Sequence, residues 1–387
     1  MRPSIGPLAP ALGGFLSLAV AMGIGRFVYT PILPHMAEAL DLGPGGAGLI
    51  ASANFAGYLL GALLAATPLP GGPRPWLLLG LALGALTTGL MAAVTVLPLF
   101  LLLRFSGGVA SAFVLVFAST LVLERLARSG AARLAALHFA GVGFGIALSA
   151  LLVALVDALG SGWRASWLAA ALASLLLALP VPALVPAGDR APMRAGAAAG
   201  PAPGLRRLAA AYGLFGFGYI VTATFLVAIV RADPAARAAE PFAWCLVGLA
   251  AAPSIWLWSR AGARIGAARA FALACLVEAV GVAASVLWPG IPGAVLAALL
   301  LGGTFMGVTA LGLAEARRLA PANAARALAG MTAAFGVGQI VGPLVAGTLA
   351  GRTGGYTAPS LLAASALVLA AALARPKPAL SGGGGLA

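Results

Sequence analysis

Long apolar stretches, rarely interrupted by charge, are the feature that most constrains how this chain can fold. Twelve of them follow one another along the 387 residues, each about 20 residues long, which is the length of helix that crosses the hydrocarbon core of a bilayer. Only 8% of the residues are charged, whereas a soluble domain has about 25%. A water-exposed surface cannot be built from so few charges. The sequence therefore predicts an all-α membrane protein with twelve transmembrane helices.

Other fold classes conflict with the same pattern. A transmembrane β-barrel needs alternating apolar and polar residues, whereas these stretches are continuous. A disulfide-stabilised secreted domain is excluded because the chain has only Cys245 and Cys275. The N-terminus carries Arg2 before an apolar stretch, as a signal peptide does, but the stretch continues to Pro34 and is too long for a cleavable signal. We therefore retain it as the first transmembrane helix.

The predicted spans are bounded by Gly, Pro and Arg. They lie near residues 10–34, 46–67, 76–96, 98–123, 134–157, 164–185, 207–230, 241–259, 267–288, 291–314, 326–350 and 356–374. Between spans 6 and 7 the chain is rich in Pro, Gly, Ala and Arg and has no apolar run. We predict two six-helix bundles, 1–186 and 207–375, a cytoplasmic linker at 187–206 and a disordered cytoplasmic tail at 376–387.

Basic residues indicate how the spans are oriented. With the N-terminus in the cytoplasm, 17 of the 23 Lys and Arg residues fall on the cytoplasmic side, four fall outside and two lie within spans. The positive-inside rule therefore predicts that both termini are cytoplasmic. The net charge of +14 is explained by this topology and by contact with anionic membrane lipid, so no nucleic-acid partner is expected.

An internal repeat supports the division into two pseudo-symmetric bundles. One shift of 195 positions aligns two separate glycine pairs, placing Gly107 and Gly108 on Gly302 and Gly303, and Gly141 and Gly143 on Gly336 and Gly338. A shift of 193 aligns span 1 with span 7 and puts Arg26 opposite Tyr219. Two parallel six-helix repeats, each with nested inverted three-helix repeats, are the plan of one large class of secondary transporters.

Four segments from both halves carry a family resemblance: GIGRFVYTPILPHM at 23–36, ANFAGYLLGALLA at 53–65, LGGTFMGVTALGLAEARRLA at 301–320 and MTAAFGVGQIVGPLVAG at 331–347. They resemble the Major Facilitator Superfamily, and more narrowly its YbfB/YjiJ-type branch, over essentially the whole chain. The resemblance implies a multi-pass transporter of a small-molecule solute in the bacterial inner membrane. We expect it to work as a monomer.

The resemblance also shows departures from the superfamily's pattern. The loop motif Gly-x-x-x-Asp-x-x-Gly-x-Arg lacks its acid after span 2, and Ala263 replaces it after span 8, which argues against the gating ion pair of this Asp. Span 4 keeps the pattern Arg-x-x-x-Gly with Arg104 and Gly108. Span 5 lacks the Gly-x-x-x-Gly-Pro signature of drug antiporters. A proton-coupled exporter of drugs or metabolites is therefore less favoured and is kept as the alternative function.

Polar residues within the spans are few and costly in lipid, so each is a functional candidate. Arg26 costs about 2.5–3.5 kcal/mol on the insertion scale and shares a helical stripe with Gly23 and Thr30. It either anchors substrate or bonds to the backbone of an unwound neighbouring helix. For Arg104 a bracing role between spans 4 and 1 is favoured over substrate binding.

The remaining candidate substrate ligands lie on three helices, where they either meet a solute or bond across helices. They are Asn54 and Tyr58 on span 2, Tyr219 and Thr222 on span 7, and Gln339 on span 11. In the superfamily fold, spans 1, 4, 7 and 10 should line a central cavity while spans 3, 6, 9 and 12 face lipid. Arg26 and Tyr219 should then point inward from opposite halves.

Four residues are candidates for coupling or gating. If transport is coupled to a proton, we expect its carrier to be Glu278, the only acid near the middle of a span, or His138 on span 5. His138 is more simply read as bonded to a loop or headgroup. Glu124 and Glu315 lie beside arginines at inner helix ends, where ion pairs could close a gate, although a plain interfacial role is favoured.

Catalysis and ATP use fit this chain poorly. Metal and acid–base chemistry need clusters of His, Cys, Asp or Glu, which the spans lack, so no metal or cofactor is expected. The Gly-x-Gly pairs are not nucleotide loops because no strand precedes them. A membrane-embedded sensor or enzyme is the lesser alternative to a secondary transporter working by alternating access. Two intramembrane arginines against one acid favour an anionic or polyhydroxylated solute.

Overall fold

The computed structural model describes residues 6–185 and 203–375. In these two ranges it has twelve helices that are long and apolar enough to cross a membrane, and no β-strand. The all-α fold with twelve spans is thus confirmed. Spans 1 to 6 are Leu8–Leu40, Pro44–Ala65, Pro73–Ala93, Leu97–Arg128, Ala132–Ala158 and Trp163–Leu184. Spans 7 to 12 are Gly204–Ala232, Arg237–Ile265, Ala267–Leu287, Ile291–Leu319, Arg326–Thr353 and Thr357–Ala374.

Helix ends differ from the predicted ones mainly where a helix extends beyond its apolar core. Span 4 runs over Leu97–Arg128, so its last turn carries the charged residues that were expected to follow it. The helix of span 7 begins at Pro203, inside the predicted linker, because Pro is well suited to a first helical turn. The rest of the predicted 187–206 linker up to residue 202, and the predicted tail 376–387, lie outside the described residues.

We call spans 1–6 the N-half and spans 7–12 the C-half. In the N-half span 2 packs on span 4, span 3 on span 4, and span 1 on span 5. In the C-half span 8 packs on span 10, span 9 on spans 10 and 12, and span 7 on spans 11 and 12. We call the end where span 6 finishes and span 7 starts the linker end, and the opposite end the far end.

Glycines of the repeat lie at equivalent helix crossings. A Cβ on Gly108 would overlap the Asn54 carbonyl of span 2, and one on Gly302 would overlap Val247 of span 8. Small residues let helices approach closely in lipid, where burial of apolar surface gives no net gain. Gly108 and Gly302 are one position out of step with the 195-residue shift, which pairs Gly108 with Gly303, and a Cβ on Gly303 would have no neighbour within 4 Å. The two halves therefore repeat the same helix contact, span 4 on span 2 and span 10 on span 8, with a glycine displaced by one residue.

The two halves meet along spans 2 and 11, spans 5 and 8, and the second part of span 1 with span 7. Two hydroxyl groups donate to backbone across this interface: Thr30 to the Ala223 carbonyl at 2.6 Å and Ser52 to the Ile340 carbonyl at 2.7 Å. Between spans 5 and 8 the backbones themselves touch, since a Cβ on Gly143 would lie 2.5 Å from a carbonyl oxygen of span 8. Close approach here depends on glycine.

We predict that Gly143→Ala destabilises the contact between the halves. The added methyl group meets backbone rather than a flexible side chain, so the free energy of unfolding should fall by about 1–3 kcal/mol, the usual cost of overpacking. Gly330→Ala is the matched control, since a Cβ there has no neighbour within 4 Å. Thermal unfolding in detergent measures both variants; equal melting temperatures would show that spans 5 and 8 are not in tight contact.

Candidate functional site

Span 1 is not one continuous α-helix. An α-helix over Leu8–Leu18 continues as a π-helical segment over Ala19–Ile24, and a second α-helix begins at Tyr29. Residues 25–28 form the break between them, and Arg26 lies in it. Such π-helical segments within helices occur frequently at functional sites. The break puts the most costly residue of the span at the interface between the halves.

The break also leaves backbone carbonyls that Arg104 uses. The Thr30 amide donates to the Phe27 carbonyl at 3.2 Å and so does not reach that of Arg26. Arg104 of span 4 donates instead, from Nη1 to the Gly25 carbonyl and from Nη2 to the Arg26 carbonyl, both at 3.0 Å. These two bonds join span 4 to span 1. This is the geometry expected if Arg104 braces the two helices rather than binding substrate.

The Arg26 side chain is enclosed by aromatic rings. Its guanidinium carbon lies 4.4 Å from the ring centre of Tyr58, 4.7 Å from that of Phe55 and 5.5 Å from that of Phe27, and the residue is 3% exposed. Cation–π contacts of this kind partly offset the loss of water. Within the described parts of the chain Nε and Nη2 have no hydrogen-bond partner, and no carboxylate pairs with the guanidinium.

Across the interface the C-half presents Tyr219. Its ring is stacked between those of Phe305 and Phe335, with centroids 5.8 and 5.7 Å away and nearly parallel planes. Gln339 Nε2 donates to the Tyr219 hydroxyl, and Gln339 Oε1 has no partner among the residues described. The hydroxyl is close enough to Arg26 to interact with it electrostatically. Arg26 and Tyr219 thus face each other from opposite halves.

The gap beside this pair is closed in the structure. It leaves no room for a water molecule and is walled by apolar and aromatic side chains of spans 1, 5, 7, 8 and 10. These are Phe27, Ile146, Tyr219, Ala223, Trp244, Val247, Leu301 and Phe305. The structure thus leaves no space for a solute between these side chains.

Three other predicted ligands have distinct surroundings. Thr30 is occupied by its bond to the Ala223 carbonyl. Asn54 Nδ2 donates to the Arg104 carbonyl at 2.8 Å, while its Oδ1 is without a partner in the described ranges. Thr222 is fully buried, and its hydroxyl has no partner there either. Of the predicted set, the structure brings together Arg26, Tyr58, Tyr219 and Gln339.

Glu278 of span 9 faces the interior of the C-half. It is fully buried, and neither carboxyl oxygen has a hydrogen-bond partner within the described chain. The neighbouring Thr304 hydroxyl donates to the Leu300 carbonyl at 2.6 Å instead. Glu278 also lies close enough to Tyr219 to interact electrostatically. Span 9 thus exposes leucine and valine on one face but turns its single acid toward the candidate site.

The remaining coupling and gating candidates lie away from Arg26. His138 is fully buried between spans 4 and 5, with Nε2 3.0 Å from the Ser119 hydroxyl. Glu124 and Glu315 each pair with an arginine on their own helix, Arg128 at 2.9 Å and Arg318 at 2.6 Å. Neither of these two ion pairs joins the two halves.

A cluster that does join the halves was not singled out from the sequence. At the far end, His35 of span 1 lies 3.4 Å from Asp157 of span 5 and 3.9 Å from Glu240 of span 8. Arg231 of span 7 lies 3.2 Å from Glu240 and 3.9 Å from Glu38. We call these five residues the far-end ion network. The signal available in the sequence was that all five residues lie at helix ends on the same predicted side of the membrane.

Comparisons with known proteins agree with this architecture. A family model described as "Uncharacterised MFS-type transporter YbfB" matches residues 18–375. A mutant of the nucleoside transporter NupG superimposes with a TM-score of 0.73 at 17% identity, covering 95% of this chain and 98% of that one. A bacterial homologue of the human lysosomal transporter Spinster, in an inward-facing and unoccupied conformation, gives 0.69 at 14% identity, covering 97% of each.

At these identities the solved structures establish a shared fold and no more. A comparison with curated proteins finds no match. The family match covers most of the chain and agrees with the motifs at 23–36 and 331–347. The chain therefore belongs to the YbfB-type family of the Major Facilitator Superfamily, whose members are multi-pass membrane transporters of small solutes.

Proposed function

We propose that the protein is a secondary transporter that binds an anionic or polyhydroxylated solute between Arg26 and Tyr219 and releases it by alternating access. The observation that carries the proposal is the buried guanidinium of Arg26, which has two free donor nitrogens and no acidic partner among the described residues. A buried charge normally has a partner of opposite sign, because a buried charge without one is strongly unfavourable. An anionic solute would supply that charge.

The chemistry of the surrounding side chains favours this solute class. A guanidinium presents donors in a planar fork that grips a carboxylate or phosphate at two points. Tyr219, Thr222 and Gln339 add neutral hydroxyl and amide groups, and Thr222 Oγ1 and Gln339 Oε1 are without partners in the described chain. These groups suit the hydroxyls or carbonyls of a small metabolite. The stacked rings of Phe305 and Phe335 would cover its apolar faces.

Contacts across the interface support alternating access. The far-end ion network and the Thr30 and Ser52 bonds all join one half to the other. Each would have to break for a solute to enter from the far end. With the topology predicted by the basic residues, the far end is the outer face of the bacterial inner membrane. The described conformation would then be the one closed to the outside.

We also propose that transport is coupled to a proton, which Glu278 would carry. Glu278 is fully buried in the middle of span 9 and faces the interior of the C-half, and intramembrane acids of this kind mark proton relays in pumps and transporters. Its electrostatic contact with Tyr219 would link its protonation to the candidate site. The alternative of a proton-coupled exporter of drugs or metabolites uses the same residue and differs in the solute and its direction.

We predict that Arg26→Lys keeps the fold but weakens solute binding at least about tenfold, since a charge-assisted hydrogen bond contributes about 1.5–3 kcal/mol. Arg26→Ala should abolish binding and leave the melting temperature unchanged or higher, because a costly group leaves the membrane. A thermal-shift screen of the wild type against carboxylates, phosphorylated metabolites and polyols supplies the ligand.

Arg104→Ala is the contrasting variant for this test. It loses the two bonds to span 1 and should lower the melting temperature. If Arg26→Ala unfolds the protein while Arg26→Lys is silent, Arg26 has a structural role. Wild-type affinity in a folded Arg26→Ala protein would rule out the anchor.

We also predict that the pH response of transport depends on Glu278. In Glu278→Gln the side chain stays neutral and similar in shape, so solute flux into proteoliposomes should lose its dependence on pH. His138→Gln, which alters a group between spans 4 and 5, should retain it. A full pH response in both variants would mean that another group carries the proton.

A further inference from the structure

Arginines from several helices surround two adjoining cavities at the linker end of the C-half. One cavity, of about 350 Å³, is lined by Arg269 at the start of span 9 and by Arg375 after span 12. The other, of about 290 Å³, is lined by Arg207 of span 7, Arg318 of span 10 and again Arg375. Arg375 borders both cavities, and we call the two together the basic recess.

The charge of the basic recess is not neutralised by the described chain. Four arginines line it against a single acid, Glu315, and that carboxylate is already held in two hydrogen bonds by Arg318. Arg207, Arg269 and Arg375 form no ion pair or hydrogen bond with any described residue. Three guanidinium groups on three helices are thus available to an anion.

The wall of the recess is apolar. Leu273 and Leu276 of span 9 lie directly below Arg269 in the helix and line the same cavity, and Leu273 is 46% exposed on the outer surface of the bundle. Leu373 of span 12 lines the second cavity. A recess with cationic groups at the helix ends and leucines along the helices matches an amphiphile with a charged headgroup and hydrocarbon chains.

We propose that the basic recess binds an anionic phospholipid, with its phosphate between Arg269 and Arg375 and an acyl chain against Leu273 and Leu276. A guanidinium fork suits a phosphate diester. A soluble phosphate ion would use the arginines alone, so the leucine wall favours lipid as the source of the phosphate. The site is separate from Arg26, and its occupant would connect spans 7, 9 and 12 of the C-half.

Native mass spectrometry of the purified, delipidated full chain tests this site. The probes are dioleoyl phosphatidylglycerol and, as the zwitterionic comparison, dioleoyl phosphatidylcholine. The wild type should retain phosphatidylglycerol preferentially. The Arg269→Gln, Arg375→Gln double variant should bind it about thirtyfold more weakly, because two cations that attract the anionic headgroup are lost. Both side chains are exposed, so folding should not depend on them.

The matched control is the Arg264→Gln, Arg326→Gln double variant, which removes two exposed arginines at the same end that do not line the recess. It should keep wild-type binding. Equal loss in both double variants, or no loss in the recess variant, would overturn the proposal. Displacement of phosphatidylglycerol by millimolar inorganic phosphate would overturn it in favour of a soluble anion. In the wild type alone, the preference should fall as salt screens the arginines.

Discussion

A guanidinium buried between two apolar helix bundles has to be stabilised with no carboxylate beside it among residues 6–185 and 203–375, and the centre of the protein is organised around that requirement. Arg26 rests on the rings of Tyr58, Phe55 and Phe27. Its backbone is held by Arg104, whose fork occupies the carbonyls that the break in span 1 leaves open. One arginine therefore fixes the geometry of the helix break, and the other presents free donors to the interface.

The two halves contribute different chemistry at equivalent positions of the repeat. The N-half supplies a cation, whereas the C-half supplies Tyr219, a neutral group stacked between Phe305 and Phe335 and bonded to Gln339. In the proposed function, this asymmetry would let one half hold the charge of a solute while the other meets its remaining groups. Because the gap beside the pair has no room for a water molecule, a solute that binds there as proposed would require the halves to separate.

Much of the fold could be predicted from the sequence, because each apolar stretch of about 20 residues in a membrane protein forms one transmembrane helix. The repeat offset predicted that Arg26 would face Tyr219, and in the structure the two side chains are close enough to interact electrostatically across the interface. The break in span 1 could not be predicted, since the bonds that Arg104 makes to its carbonyls join residues that are distant in sequence. The inward direction of Glu278 was also inaccessible, because span 9 is apolar on every face and periodicity indicates no preferred side.

Ion pairing at the helix ends shows the same limit. The basic residues Arg231 and Arg237 were used only to predict the topology. Nothing in the sequence indicates that Arg231 contacts Glu240 and Glu38 or that His35 contacts Asp157. These contacts exist only once spans 1, 5, 7 and 8 converge at the far end. Glu124 likewise pairs with Arg128, one helical turn on, rather than with the adjacent Arg125.

Whether the two halves rock about a closed centre can be tested with distances between spin labels. Labels at Gly43 and Arg352 report on the far end of spans 2 and 11, and labels at Thr67 and Arg326 on the linker end, in a background without Cys245 and Cys275; all four label sites are exposed. Weakening the far-end ion network with Glu240→Gln should add a longer far-end distance and a shorter linker-end distance together. A linker-end distance that stays constant, or lengthens along with the far end, would contradict alternating access.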